Sequence, residues 1–437
     1  MCGVVISRHV FKKAMDRLFH RGTRYNSIET KKGYIAHARL PIVGLGFEYD
    51  QPIGLEVGDQ WTIAFVGQLL DFRDRDPKAD CDLGLVIDTF IEEGPAGFQK
   101  FDGFWSVVAI DNVSGDLWFF TDYLAQKPLY YRTDEQIAAS EPDAVLVAGP
   151  VTLDEIYLSS VIKFGYCPET WRTPYNEVRK TLPGQCLVYT EKGELQSTFT
   201  DPLWPIGGLD LKTEIKEAVR RRVISSDVPV AALVSGGVDS AIVYTLAQRY
   251  GEVQPYHVLN GETENLLKVA PDAITLGFDE VSLDQALAYM QEPIDLGSLL
   301  PQVALSDAIA DRETVCLTGD GADEFFGGYG RASRYDSQQS DVFHELVAWH
   351  LPRLDRVMMR NRVEVRSPFL ARKVAQAALA LPWHLRRDKN HLRDLFRDDL
   401  PPGVADTPKK ALRSPVVAVE REASSARLVE LFRRNFP

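Results

Sequence analysis

Apolar residues along this chain follow two different rhythms, and the change falls near residue 200. Up to about residue 190 they come in short runs rich in β-branched and aromatic side chains: YIAHARLPIVGL, DQWTIAFVGQLLDF, FWSVVAID, DLWFFTDY and QCLVYT. Turn residues such as NVSGD bound these runs, which predicts strands. One segment breaks the rhythm. CDLGLVIDTFIEEG repeats Leu83, Ile87, Phe90 and Ile91 at helical spacing and closes on Gly94, which predicts a helix. This half reads as a layered α+β domain.

The stretch FTDPLWPIGGLD, residues 199–210, carries two prolines and a Gly-Gly and reads as a linker. Beyond it, Leu211, Ile215, Val219 and Val223 recur at helical intervals. VPVAALV is then a continuous apolar run, as a buried parallel strand requires. SGGVDS and a helical AIVYTLAQRY follow, and a second buried strand, TVCLTG, runs into DGADE. Strands alternating with helices predict an α/β domain with a doubly wound parallel sheet. No internal repeat or low-complexity segment interrupts either half.

Composition narrows the classes. A chain of 437 residues favours about two to four domains. Hydrophobic content of 45% and charged content of 25% fit a globular protein with a real core. A net charge of −13 argues against a nucleic-acid partner, because phosphate contacts need clustered Lys and Arg. No apolar run reaches the ~18 residues of a membrane span, and no basic n-region precedes the first apolar stretch. The five cysteines, Cys2, Cys81, Cys167, Cys186 and Cys316, include no CxxC pair. Neither a disulfide framework nor a zinc site is suggested, and a reducing cytoplasm is the simplest compartment.

Two stretches carry candidate chemistry. The chain begins MCGVVIS. With Met1 trimmed, Cys2 would bear a thiol and a free α-amine on one residue, a nucleophile with its own base. A cysteine that merely opens a buried strand satisfies the same letters. The second stretch is Ser235-Gly236-Gly237-Val238-Asp239-Ser240, set between a strand and a helix. Two glycines let successive N–H groups point inward, and the helix adds its positive end. Ser235 and Ser240 can donate to phosphate oxygens. Asp239 would be repelled by phosphate unless a cation lay between, which makes it a natural Mg²⁺ ligand. The Walker spacing GxxxxGK[ST] is absent.

This loop resembles the pyrophosphate loop of the N-type ATP pyrophosphatases, and the resemblance widens to the asparagine synthetase family. TGDGADEFFGGY (Thr318 to Tyr329) is similar to that family's second motif, VEVRSPFL (Val363 to Leu370) to its VEARVPFL, and TPKKALRSP (Thr407 to Pro415) to its lysine segment. Lys409 is the matching lysine and Lys410 the register-shifted alternative. Met1-Cys2-Gly3, FHRG, AHARLPIVG, Gln51-Pro52, Ala79-Asp80-Cys81-Asp82, KPLYY and Ser140-Glu141 occur in the family's order. The implied architecture is an N-terminal-nucleophile glutaminase sandwich over 2–195 and an ATP-pyrophosphatase synthetase domain over 206–437.

The resemblance implies a two-site enzyme using ATP and Mg²⁺. Cys2 would hydrolyse glutamine, ammonia would pass through an internal tunnel, and a carboxylate adenylated in the second domain would receive it. Arg39 would clamp the glutamine carboxylate and Asp80 its ammonium, with Ile42, Val43, Gly67 and Gln68 lining the pocket. Leu233, Val258, Thr318 and Gly319 would surround adenosine over the Ser235–Ser240 loop, including Gly236, Gly237 and Val238. Asp239 and Asp323 would share the metal, Lys409 would neutralise pyrophosphate, and Asp320 would orient ammonia or take its proton. Aspartate is the default acceptor, glutamine or ammonia the nitrogen source, and a homodimer the assembly to look for.

Departures gather in the first half. Where the family has Asn-Gly-Glu, with the Asn and a backbone N–H forming the oxyanion hole, this chain has Val66-Gly67-Gln68. HRGPD reads His20-Arg21-Gly22-Thr23-Arg24, and RDxxGxK reads Thr121-Asp122-Tyr123-Leu124-Ala125-Gln126-Lys127. Losing one oxyanion donor costs on the order of 10²–10³ in rate. The expectation is therefore retained ATP chemistry and a weakened glutaminase. Rival readings are an amide or ring-closing synthetase acting on another carboxylate, like β-lactam synthetases and lasso-peptide cyclases, a non-catalytic scaffold as first domain, and an amidase whose second domain only binds nucleotide.

Overall fold

The computed structural model describes residues 2–54, 60–259, 263–278, 280–294, 296–329, 344–407 and 421–435. In the first half, two six-stranded antiparallel sheets face each other. One runs Val178–Lys180, Tyr130–Arg132, Ile137–Ala139, Gly3–Ser7, Tyr34–Arg39, Arg24–Glu29. The other runs Leu195–Thr200, Gln185–Tyr189, Leu117–Thr121, Gly103–Asp111, Trp61–Leu69, Ile53–Gly54. Side chains alternate across each strand. Ala64 and Val66 therefore point between the sheets with Val4, Ile6, Ile35 and Val108. Ile63 and Phe65 point outward, onto Val86 and Phe90 of the helix Leu83–Glu93. That helix ends where expected, at Gly94 with φ of 64°. The edge strand Leu195–Thr200 carries the second sheet past residue 195. Its polar letters LQSTFT are almost all exposed, so no alternation announced it.

The second half holds a five-stranded parallel sheet in the order Ile274–Leu276, Val253–Val258, Val230–Leu233, Val315–Leu317, Glu364–Arg366. The chain runs outward from Val230–Leu233 in one direction, then returns to build from Val315–Leu317 in the other. The crevice between those two strands is the topological switch point, where parallel sheets bind ligands beyond their carboxyl ends. The helices Leu211–Ile224 and Val238–Ala247 fall where helical spacing and the loop predicted them.

A buried ionic seam joins the halves. Arg21 donates to Glu141 at 2.8 Å and to both Asp355 oxygens at 3.0 and 3.1 Å. Lys127 reaches Asp355 at 2.8 Å. Tyr157 donates to Glu292, which also pairs with Arg356, both at 2.9 Å. Arg366 holds Glu364 at 2.7 Å and reaches Gln68 and Ser225. Burial alone would raise the Glu141 carboxyl, but His20 and Arg21 hold it well below its usual range. Burial opposes the Asp355 carboxylate in the same way, and Arg21 and Lys127 keep it low. Among the described residues no helix is long and apolar enough to cross a membrane.

Candidate active sites

The two central parallel strands end in loops that meet. Val230–Leu233 delivers the Ser235–Ser240 loop, and Val315–Leu317 delivers Thr318, Gly319 and Asp320. A Cβ on Gly319 would lie 3.0 Å from Asp239 Cβ, so the loops touch there. Gly236 takes φ of +83°, the left-handed turn a glycine supplies. The serines shape the loop rather than pointing away from it. Ser240 Oγ donates to Gly237 O at 3.1 Å, and Gly237 N–H donates to Ser235 Oγ at 3.2 Å. Val238 and Asp239 open the helix Val238–Ala247. Val258 ends the neighbouring strand, 4% exposed.

Asp239 and Asp323 converge on a residue that the sequence reading missed. Lys389 Nζ lies 2.5 Å from Asp323 Oδ1 and also binds Asp239 Oδ2. Its side chain is 2% exposed. Burial alone would lower the ammonium's pKa, but the two carboxylates outweigh it and hold it above the usual value. Asp239 Oδ1 and Thr318 Oγ1 are buried with no hydrogen-bond partner among the described residues. They leave hydrogen-bonding capacity beside the loop that a bound phosphate or cation could take up. A short polar cluster adjoins the same loop. Tyr329 Oη donates to Glu324 at 2.6 Å and lies 3.3 Å from His350 Nε2. Burial first, then Asp323, pushes the Glu324 carboxyl up to about 7. Arg353 lies 3.9 Å from Asp320, whose backbone oxygen accepts from Ser367 Oγ. His350 closes a π-helical turn, Leu346–His350, a geometry frequent at functional sites. Lys409 and Lys410, with most of their segment, lie outside the described residues.

The Cys2 site looks different. Cys2 is 8% exposed and packs in the inter-sheet cluster with Val4, Ile6, Ala64 and Val66. Burial pushes its thiol up, against a backbone hydrogen bond from Leu40. Its carbonyl accepts from Arg21 Nε at 3.0 Å. Val66, where the family's donor belongs, is 1% exposed and apolar. Gly67 takes φ of +121°, and a Cβ there would collide with Phe104 O, so no side chain fits.

The expected glutamine residues are largely bound to their own chain. Arg39 donates to Gly46 O at 2.8 Å, Asp50 at 2.9 Å, Val43 O at 3.1 Å and Gly44 O. Ile42 and Val43 are buried beside it. Asp80 is exposed and accepts from Tyr49 Oη at 3.4 Å. Gln68 was expected to line the pocket. Its amide instead donates to Ser225 O at 2.8 Å and accepts from Arg366, across the seam.

The first half is an antiparallel sandwich with Cys2 just ahead of its first strand, and the second is a parallel sheet with the glycine loop at its switch point. Residues 1–200 match the glutamine amidotransferase domain, and residues 210–347 and 340–434 match asparagine synthase. The chain belongs to the asparagine synthase family. It is 24% identical to asparagine synthetase [glutamine-hydrolyzing] 1 of Bacillus subtilis over 64% of this chain and 49% of that one. With asparagine synthetase B [glutamine-hydrolyzing] of Escherichia coli the identity is 24% over 90% and 77%. A Gibberella zeae protein called amidase chry2 is 27% identical over 74% and 56%. The chain thus spans about half the length of the first and third of these relatives.

Proposed function

We propose that the protein activates a carboxylate with Mg²⁺·ATP and forms an amide on it. A substrate carboxylate oxygen attacks the α-phosphorus, the bond to pyrophosphate breaks, and a nitrogen nucleophile then displaces AMP. Asp320 orients that nucleophile or takes the proton it loses. The reading is carried by the convergence of Asp239, Asp323 and Lys389 at the switch point, beside buried polar atoms that have no partner among the described residues. Loop N–H groups and the helix N-terminus suit phosphate, and two carboxylates suit Mg²⁺ bound with phosphates as co-ligands. Bound there, the metal supplies charge neutralisation on the polyphosphate. Leu233, Val258, Thr318 and Gly319 would flank the adenosine, and Lys409, outside the described residues, would neutralise pyrophosphate by its match to the family's lysine. Aspartate is the default acceptor and the cytoplasm, which keeps thiols reduced, the compartment.

Free ammonia, or another amine, serves as nitrogen source better than glutamine does. Val66 supplies no oxyanion donor, Arg39 is engaged by Asp50 and three carbonyls, and the Cys2 thiol sits in an apolar layer. Pyrophosphate and AMP release should be measured across candidate carboxylates, with glutamine or ammonium present. Silence with every carboxylate sinks the ligase reading, and silence with aspartate alone moves the acceptor. Glutamine hydrolysis at a rate typical of the family sinks the weakened-glutaminase reading.

A further inference from the structure

We propose that Lys389 is a resident counter-ion of the metal site, holding Asp239 and Asp323 in the nucleotide-free protein so that a divalent cation enters only together with ATP phosphates. This rests on the reading of Asp239 and Asp323 as the metal carboxylates. The placement is built, not incidental. Asp388 and Lys389 take φ of 57° and 61°, two successive non-glycine residues in the left-handed region. Such conformations persist only where the surroundings enforce them, and they cluster at functional sites. Here Gly327 O accepts from Asp388 N–H at 3.1 Å and Phe326 O from Lys389 N–H at 2.9 Å. Gly328 clears the path, because a Cβ there would collide with Asp323 Oδ1 and with Lys389 Cε. The segment that carries Asp323 therefore also seats the lysine.

Charge decides the order of binding. Two carboxylates and one ammonium sum to a single negative charge, and the ammonium occupies the space between them. A divalent cation arriving alone meets a fixed positive charge at close range, in a buried place where screening is weak. Among the described residues no group of three acidic, histidine or cysteine side chains gathers to hold a cation by itself. The polyphosphate of ATP changes both terms. It offers the ammonium new anionic oxygens and offers the metal its missing ligands. Lys389 then passes from carboxylates to phosphates, and the metal takes the place it leaves.

The test uses Mn²⁺ alone as probe, with free Mn²⁺ read by electron paramagnetic resonance. Wild-type protein should bind Mn²⁺ at least about tenfold more weakly without nucleotide than with a non-hydrolysable ATP analogue. Lys389→Met should bind Mn²⁺ without nucleotide at least about tenfold more tightly than wild type. Its melting temperature should rise with Mn²⁺ alone while that of wild type stays put. If the methionine variant does not fold, Lys389→Gln serves the same comparison. Equal affinity of wild type and variant for Mn²⁺ alone overturns the proposal. Asp239→Asn separates the two layers: unchanged nucleotide-dependent Mn²⁺ binding in that variant removes the metal assignment itself.

Discussion

Around the carboxyl ends of the central parallel strands, two carboxylates share one ammonium, and a hydroxyl and a carboxylate oxygen are buried without partners among the described residues. Around Cys2 the reverse holds: the thiol lies among aliphatic side chains and Arg39 has spent its guanidinium on Asp50 and three carbonyls. Both regions descend from the same family pattern, and both keep most of its letters. The difference teaches where function is written in a fold. A site prepared for a ligand leaves charge and hydrogen-bonding capacity unbalanced, because the ligand will balance them. A site that balances itself has little left to offer a substrate.

Four perturbations would break or sharpen this contrast. Asp239→Asn should reduce pyrophosphate release by on the order of 10³ or more, since metal and phosphate lose their shared anchor. A loss below about tenfold would place the reaction elsewhere. Asp355→Asn should destabilise the protein by about 3–5 kcal/mol in denaturant unfolding, because Lys127 is left as an uncompensated buried charge and Arg21 keeps only Glu141. An unchanged midpoint would mean the seam does not hold the halves together. Val66→Asn restores the missing donor and should raise glutamate release from glutamine by about 10². No rise would show that the Arg39–Asp50 closure, rather than the oxyanion hole, shuts the site.

The smallest expected effect is a shift of stability with pH. Burial raises the Asp82 and Asp122 carboxyls to about 6 in the folded chain, from 3.8. Stability from these two is full below about 3.8 and is lost as pH rises through 6. The low carboxyls of Glu141, Asp355 and Glu364 act oppositely, stabilising above the usual value of 4.5 or 3.8 and failing as pH falls through their depressed values. The melting temperature should therefore rise by a few degrees from pH 7 to about pH 4.5 and drop on stronger acidification, where the low carboxyls begin to protonate. A monotonic fall from pH 7 downward would show that Asp82 and Asp122 remain ionised when folded.

Much of the architecture was legible because its signals are local. Alternation named the inner strands, the helical spacing from Leu83 named its helix, and VPVAALV read as a buried parallel strand because both of its faces are covered. The SGGVDS loop was legible because glycines after a strand have few other reasons to be there. Lys389 was not. It lies in RRDK, letters that read as an ordinary solvated charge run, and only the turn at Gly327-Gly328 brings it to Asp239, far away in the chain. Gln68 misled for the same reason: its neighbours in sequence are pocket residues, while its partners, Ser225 and Arg366, come from the other half.

The seam also bears on descent. A synthetase half cut free after residue 200 would leave Asp355 without Arg21 and Lys127, Glu292 without Tyr157 and Arg366 without Gln68. Each is a buried charge or charged pair robbed of a partner, the kind of loss a marginally stable fold does not survive. The first half is thus a structural partner of the second, whatever chemistry its own site performs. Of its departures from the family pattern, Gln68 is itself a seam residue, tied to Ser225 and Arg366, whereas Val66 packs between the two sheets.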